Sequence, residues 1–207
     1  LVFVFGLAFM FFVMLSFMIG SSSFMLFGTI ITKVDTDEKV VALTFDDAPL
    51  PKNTEETLDA LEREKVKATF FIIGRDAKRN PAQLKKIIAA GHEVGNHSYS
   101  HKNMALMSSD EITSEIESND TLIRSADYKG YIPFRVPYNV KFVTLPYYLM
   151  TNNRPDISRN VITKEGSSRA SGKIVDDIVK QVTPGSIILL HAMYDHTKTT
   201  RQAIGPL

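Results

Sequence analysis

Residues 39–74 read KVVALTFDDAPLPKNTEETLDALEREKVKATFFIIG, and this stretch determines the predicted fold. Its two apolar runs, at 39–45 and 67–74, are short and rich in β-branched and aromatic residues, which is typical of buried strands. Between them, Asn53-Thr54 is a helix N-cap sequence, and glutamates follow in the first predicted turn. A strand, a helix and a second strand in this order predict a right-handed βαβ unit with parallel strands.

The same alternation continues along the rest of the chain. We predict helices over 80–91, 108–126, 142–153 (kinked by Pro146), 171–185 and from 198 onward, and strands over 92–98, 131–138, 156–162 and 186–191. About six strand–helix units fit, which predicts an α/β fold: a distorted (β/α) barrel of about seven strands. We expect the barrel to be incomplete at its C-terminus, because the chain ends at Leu207 inside the final helix. A doubly wound open sheet is the alternative.

The N-terminal stretch differs from the rest, because residues 1–31 contain no charged side chain. Leu1 to Gly20 is long enough to cross a bilayer, which takes about 20 apolar residues. Its apolar residues cover every helical face, which argues against a buried core helix. We therefore expect a transmembrane anchor or uncleaved signal segment over 1–31, and one domain over 32–207 that is C-terminally truncated. This domain would lie outside the cytoplasm, either membrane-anchored or secreted.

Composition excludes several classes of function. The formal net charge is +1, and the chain has no run rich in lysine and arginine, so we expect no nucleic-acid partner. There is no cysteine, which excludes disulfides and thiolate metal sites. Nothing in the sequence indicates a protein partner.

Several polar side chains directly follow predicted strands, and the carboxyl ends of parallel strands share one face of a barrel. They are Asp46, Asp47, His97, His101, Arg135 and His191. With their i, i+4 spacing on a helical turn, His97 and His101 would point the same way. Two imidazoles with a carboxylate from Asp46 or Asp47 make a common zinc set. The alternative is that the histidines only form hydrogen bonds in a loop, and that the aspartates cap the next helix.

Four motifs in order carry a resemblance to a known family. TFDDAP (44–49), HSYSH (97–101), FRVPY (134–138) and ILLH (188–191) resemble TFDDGP, H-S/T-x-x-H, R-x-P-Y and L-x-H of the polysaccharide deacetylases, carbohydrate esterase family 4, also called the NodB-homology domain. The resemblance implies metal-dependent hydrolysis of the N-acetyl group of N-acetylglucosamine residues in a polysaccharide such as peptidoglycan or chitin. A location outside the cytoplasm suits a cell-wall glycan.

The resemblance also implies roles for single residues. Asp47, His97 and His101 would bind the metal. Asp46 would be the general base, oriented by Arg135, and His191 would be the general acid. Tyr138 would offer its backbone N–H to the oxyanion, and Leu189 would line the acetyl pocket. The expected metal is zinc, and cobalt or nickel would also suit these ligands. The expected partners are the glycan substrate and, through residues 1–31, the membrane.

The sequence departs from the family pattern at several positions, and the altered tryptophan motif together with the truncated C-terminal end suggests an alternative function. Ala48 replaces a glycine, and the chain has no tryptophan where the family has a tryptophan-containing motif with an aspartate that supports the arginine. Arg159-Asn160 would replace that Trp-Asp pair, with Asn160 accepting a hydrogen bond from Arg135, or Asp156 would stand in. The alternative function is a degenerate relative that binds metal or glycan without turnover.

Overall fold

The computed structural model describes residues 5–6, 9–10, 13 and 18–207. The strands in this part are β1 (Ile30–Ile31), β2 (Ala42–Ala48), β3 (Thr69–Ile72), β4 (Glu93–Asn96), β5 (Asp156–Ile157) and β6 (Ile187–Leu190). The helices are α1 (Pro51–Arg63), α2 (Gly74–Arg79), α3 (Pro81–Ala89), α4 (Ser109–Ser125), α5 (Thr144–Thr151), α6 (Ser171–Gln181) and α7 (Lys198–Ala203), with 3₁₀ turns at Pro137–Asn139 and Asp195–Thr197. The predicted α/β class is confirmed.

Four parallel strands in the order β4-β3-β2-β6 form the main sheet. Phe45 of β2 lies between Phe70 of β3 and Leu190 of β6, and all three side chains are fully buried. Because the strands are parallel, their carboxyl ends meet at one edge, where the polar residues predicted for the site lie. The prediction that Asp46 and Asp47 directly follow the first strand is wrong, because β2 continues through Ala48 and includes both residues.

The β1–β5 pair joins this sheet into a barrel-like arrangement. Isolated parallel bridges connect Phe134 to both Asn96 and Asp156, and another connects Val161 to Ile188. Both edges of the main sheet are thus linked to residues 156–161, but by single bridges instead of continuous ladders. The described residues form six strands and not about seven, because the predicted strand at 131–138 pairs only at Phe134. Pro133 and Pro137 flank this position and lack the N–H that a longer ladder needs.

The helices cover the sheet with their apolar faces, as α4 illustrates. Ile112, Ile116 and Ile123 recur at helical spacing and are fully buried. Ser108 caps the helix: its Oγ accepts from the N–H of Glu111, and the Glu111 carboxylate accepts from the N–H of Ser108. Burial of one such side chain stabilises the fold by about 1.5–3 kcal/mol.

Local differences from the predicted elements have physical causes. Helix α1 begins at Pro51, because proline suits the first helical position, and the buried Asn53 donates from Nδ2 to the carbonyl of Met193 instead of capping. The short helix α2 was not predicted, and its first residue, Gly74, lies so close to Tyr99 that a Cβ would meet that ring at 2.6 Å. Pro146 lies in the first turn of α5, where its missing N–H costs no helical hydrogen bond, so the predicted kink is wrong.

Residues 19–34 lie against the domain. Thr29 and Ile31 accept from the backbone N–H groups of Asp156 and Ser158, and Val34 donates to the carbonyl of Gly185. These contacts favour a domain that begins before the predicted boundary at residue 31, and the division itself stays a prediction. Most of the predicted membrane-spanning stretch, Leu1 to Gly20, lies outside the described residues. Among those the structure does describe, no helix is both long and apolar enough to cross a bilayer.

Candidate active site

One cavity of about 230 Å³ lies at the carboxyl ends of the strands. It is lined by all eight residues predicted for the site, which are Asp46, Asp47, His97, His101, Arg135, Tyr138, Leu189 and His191. The topology brings them together as expected, because β2, β4 and β6 are parallel and end on the same side.

Asp47, His97 and His101 form a cluster in which one ligand atom of each residue lies within 4.8 Å of the others. Asp47 Oδ1 is 3.2 Å from His101 Nε2 and 3.8 Å from His97 Nε2. This oxygen is buried and accepts no hydrogen bond within the described part of the chain. A buried carboxylate oxygen without a partner is costly unless a cation compensates it, so the cluster fits a divalent metal.

The surroundings of the two imidazoles also favour metal binding. His97 Nδ1–H donates to the carbonyl of Arg135 at 2.9 Å, which leaves Nε2 with the lone pair that can bind a metal. Burial, and to a smaller extent the neighbouring His97, lower the pKa of His101, although Asp47 and Asp46 oppose this. A lowered pKa favours the neutral imidazole, which is the form that binds metals.

The histidines are held by an irregular loop, so the predicted helical turn is wrong. Ser98 and His101 have φ values of 60° and 54°, in the left-handed region. Two buried amides hold this conformation: Asn96 Oδ1 accepts from the N–H of Ser98 at 2.8 Å, and Asn119 Nδ2 donates to the carbonyl of Ser98 at 3.0 Å. The two imidazole rings still converge, with their centroids 4.8 Å apart.

Asp46 forms a buried ion pair with Arg135, whose Nη1 lies 2.6 Å from Asp46 Oδ1. Burial raises the pKa of Asp46, but the charge of Arg135, with His97 and His191, outweighs burial and lowers this pKa below its ordinary value. Asp46 is therefore a carboxylate at neutral pH. Its other oxygen, Oδ2, lies 3.7 Å from His97 Nε2 and faces the same cavity as the metal cluster.

Backbone carbonyls fix Arg135, so the predicted support from Asn160 is wrong. Arg135 donates from Nε to the carbonyl of Ile157 at 2.7 Å and from Nη2 to the carbonyl of Ser158 at 2.9 Å. Asn160 accepts from the backbone N–H of Ile187, because its side chain points toward the start of β6. Asp156 Oδ1 accepts from the N–H of Val136 instead, and within the described part of the chain Asp156 forms no hydrogen bond with the guanidinium.

His191 is paired with a glutamate that the sequence analysis did not identify. Its Nδ1–H donates to Glu165 Oε2 at 2.7 Å, and its backbone N–H donates to Glu165 Oε1 at 2.9 Å. Burial alone would lower the pKa of His191, but the hydrogen bond to Glu165 and the charges of Asp46, Glu165 and Asp47 raise it to about 9. Because Nδ1 is engaged, Nε2 is the nitrogen left to exchange a proton in the cavity. Glu165 lies in an irregular loop, so no motif or periodicity indicates it.

Tyr138 lies in a turn that is attached to the N-terminal residues. Tyr138 and Asn139 have φ values of 56° and 58°. Asn139 Nδ2 donates to the carbonyl of Gly20 at 2.8 Å. Lys141, which is 1% exposed, donates from Nζ to the carbonyl of Ser21 at 2.9 Å, and its Nζ lies 3.4 Å from Asp156 Oδ2. These hydrogen bonds fix the turn, while Tyr138 itself is 63% exposed.

Strained backbone is concentrated at this cavity. Eight non-glycine residues in the described part of the chain have positive φ, and five belong to the site loops: Asp47, Ser98, His101, Tyr138 and Asn139. Each such conformation costs on the order of 1 kcal/mol and persists where surrounding contacts enforce it. Ala48 is not among them, so the alanine at the glycine position of the first motif introduces no strain of this kind.

Comparisons with known proteins agree with this geometry. The sequence profile described as polysaccharide deacetylase matches residues 33–146. The chain is 34% identical over 154 residues to the peptidoglycan-N-acetylglucosamine deacetylase of Bacillus cereus, covering 73% of this chain and 55% of that protein. It is 33% identical over 160 residues to the chitooligosaccharide deacetylase of Sinorhizobium fredii, covering 73% and 71%. The peptidoglycan-N-acetylmuramic acid deacetylase PdaC of Bacillus subtilis is 34% identical over 164 residues, with 78% and 34% covered.

Solved structures with the same fold include an enzyme and a pseudoenzyme. The Bc1960 peptidoglycan N-acetylglucosamine deacetylase superposes with a TM-score of 0.78 at 30% identity, covering 84% of this chain and 82% of that chain. BA3943 of Bacillus anthracis, described as a CE4 family pseudoenzyme, gives a TM-score of 0.77 at 28% identity, covering 87% and 63%.

The chain spans 55% of the Bacillus cereus relative and 34% of PdaC. It spans 35% of a further relative, PgdA of Listeria monocytogenes, to which it is 31% identical over 169 residues. The profile match covers more than half of the chain, and the fold and the ordered motifs agree with it. This chain belongs to the polysaccharide deacetylase family.

Proposed function

We propose that this protein is a metal-dependent hydrolase that removes the N-acetyl group from N-acetylglucosamine residues of a peptidoglycan or chitin-like polysaccharide. The observation that carries the proposal is the buried, unpartnered Asp47 Oδ1, which faces His97 and His101 in the same cavity as an ionised Asp46 and a protonated His191. The names of the relatives support the choice of glycan.

Asp47, His97 and His101 are the proposed ligands of a divalent metal, with zinc as the first choice and cobalt or nickel as alternatives. When bound, the ion supplies a Lewis acid that acidifies water and polarises the acetyl carbonyl. Its binding would also compensate the Asp47 oxygen that is otherwise buried without a partner.

The proposed proton transfers begin at Asp46. Its Oδ1 is engaged by Arg135, so Oδ2 is the oxygen available to take a proton from the attacking water. Arg135 is fixed by carbonyls of residues 157 and 158, and it keeps Asp46 ionised and oriented. The hydroxide oxygen then bonds to the acetyl carbon, and the carbonyl oxygen takes on negative charge.

Tyr138 and His191 are proposed to act on the two ends of the breaking amide. The N–H of Tyr138 donates no hydrogen bond within the described part of the chain, so it is free to donate to the developing oxyanion. His191 Nε2–H gives its proton to the amide nitrogen as the C–N bond breaks, and the products are acetate and a free amine. The half-buried side chain of Leu189 lines the same cavity and would contact the acetyl methyl group.

Acetate release from N-acetylglucosamine oligomers by the full chain tests the proposal. We expect release with added zinc, loss of release with a chelator, and loss in Asp46→Asn with metal binding retained. The alternative, a relative without turnover, is supported by the likeness to BA3943. Folded protein that binds zinc and releases no acetate from peptidoglycan or chitin oligomers would establish that alternative.

We also propose that the domain acts outside the cytoplasm and that the uncharged stretch 1–31 exports or anchors it. Related proteins are named for peptidoglycan, which lies outside the membrane. Cell fractionation followed by protease treatment of intact cells checks this. Protection of the domain from protease in intact cells would contradict it.

A further inference from the structure

In the described part of the chain, the charged side chains around the active-site cavity either form ion pairs or belong to the metal cluster, with one exception. Asp46 pairs with Arg135 at 2.6 Å, and Asp156 lies 3.4 Å from Lys141. Glu165 pairs with His191 at 2.7 Å. The remaining carboxylate, Asp47, faces the two histidines of the metal cluster.

The exception is Arg159, which lines the same cavity and is half-buried. Among the described residues its guanidinium makes one hydrogen bond, from Nη1 to the hydroxyl of Ser158 at 3.1 Å, and it has no carboxylate partner. Burial and the neighbouring Arg135 lower the pKa of Arg159, while Asp46 and Asp156 oppose this. A guanidinium has five N–H donors, so most of its capacity is free. Burying a guanidinium without a carboxylate partner is unfavourable, and this indicates that a ligand supplies the missing negative charge.

The backbone on both sides of Arg159 is fixed. Ser158 is 1% exposed, donates its N–H to the carbonyl of Ile31, and accepts from Arg135 through its own carbonyl. On the other side, Val161 accepts from the N–H of Leu189 at 3.0 Å. Arg159 therefore lies between the residues that hold Arg135 and the residue that pairs with β6, the strand that carries Leu189 and precedes His191.

We propose that Arg159 forms a subsite for a carboxylate on the substrate, so that the preferred glycan is an acidic N-acetylated one. This inference rests on the proposed deacetylase function and names its substrate class. Each of the three ion pairs is neutral overall. Arg159 and a divalent metal at Asp47 would therefore give the cavity an excess of positive charge. Guanidinium and carboxylate are matched in geometry for two parallel hydrogen bonds. In peptidoglycan, N-acetylglucosamine alternates with N-acetylmuramic acid, whose lactyl ether carries a carboxylate, so a strand that places N-acetylglucosamine at the reaction site would offer this group from the adjoining sugar.

The test compares two substrates of equal size. One is peptidoglycan glycan strands with free lactyl carboxylates, and the other is the same strands after conversion of the carboxylates to methylamides. We expect the full chain to favour the acidic strands and Arg159→Gln to lose about 10- to 100-fold in kcat/KM on them, mostly through KM. On the amidated strands Arg159→Gln should match the parent protein. Arg159→Lys, which keeps the charge and loses the fork of donors, should fall between the two.

Lys164→Gln is the matched control, because it removes one positive charge from an exposed side chain of the neighbouring loop. Its kcat/KM on both substrates should equal that of the parent protein.

Two results would overturn the inference without contradicting the deacetylase function. One is an equal loss of kcat/KM on both substrates in Arg159→Gln, and the other is a parent protein with no preference for acidic strands. If the parent protein releases acetate from neither substrate, the proposed function fails. Binding of the two strands by chelator-treated protein then decides the subsite: a preference for acidic strands that disappears in Arg159→Gln supports it, and equal binding overturns it.

Discussion

Replacing Glu165 by glutamine should move the alkaline limit of activity to lower pH. The glutamine amide oxygen still accepts a hydrogen bond from His191 Nδ1–H, but its charge is gone. In the parent protein Glu165 and the site aspartates hold the pKa of His191 at about 9, although burial opposes them. The general acid must be protonated, so activity is lost as pH rises through this value.

The size of the effect follows from the protonated fraction of His191. If the substitution returns the pKa about two units toward the ordinary value near 6.5, the fraction protonated at pH 8 falls from about nine-tenths to about one-tenth. Activity at pH 8 should then drop about tenfold, while activity at pH 6 changes by less than about twofold. The side chain of His191 is 38% exposed, so solvent screening makes about two units an upper bound.

The assay is kcat/KM for acetate release measured between pH 5 and 10, with Glu62→Gln as a control that removes an equal charge from an exposed position on α1. NMR titration of the His191 ring in both proteins gives the pKa without turnover. A uniform loss of rate at every pH with an unmoved alkaline limb would refute the reasoning, because Glu165 would then only hold the loop in place.

Three further changes test the metal cluster, the buried ion pair and the core. Asp47→Ala should weaken zinc binding by at least about 100-fold in calorimetry, because it removes the only carboxylate of the cluster in the described residues. Lys141→Met should lower the free energy of unfolding by about 3–5 kcal/mol in urea, because Asp156 would stay buried without its cation; a change below about 1 kcal/mol would contradict this. Phe70→Ala, which empties a fully buried position stacked on Phe45 at 5.3 Å, should cost about 3–5 kcal/mol in the same measurement; equal denaturation midpoints would contradict it.

The convergence of the site residues was predictable because the relevant strands are regular. Short apolar runs place Asp46, Asp47 and His191 at the ends of strands, and parallel pairing then requires that these ends share one edge. The pairing of β2 with both β3 and β6 fulfils this requirement, so a coarse assignment of strands is enough to bring distant residues together.

The parts that sequence reasoning missed depend on irregular backbone and on main-chain acceptors. The loop of His97 and His101 relies on left-handed residues and on the buried amides of Asn96 and Asn119, which no periodic pattern indicates. Arg135 is held by backbone carbonyls. Because every residue type has a backbone carbonyl, the sequence does not indicate which residues make this contact. Glu165 reaches His191 across 26 positions of the chain from an irregular loop.

The contacts of Gly20 and Ser21 bear on how this protein should be produced. The first charged residue, Lys33, would be a natural start for a recombinant protein without the apolar stretch. Such a protein would lack the carbonyl of Ser21 that accepts from Lys141, the carbonyl of Gly20 that accepts from Asn139, and strand β1. Lys141, which lies two residues after the turn of Tyr138 and Asn139, would lose its contacts to Ile19 and Ser21. A protein that starts at or before Met18 keeps these contacts. If a protein that starts at Lys33 is inactive, the lost contacts are the first explanation to test, ahead of the chemistry of the cavity.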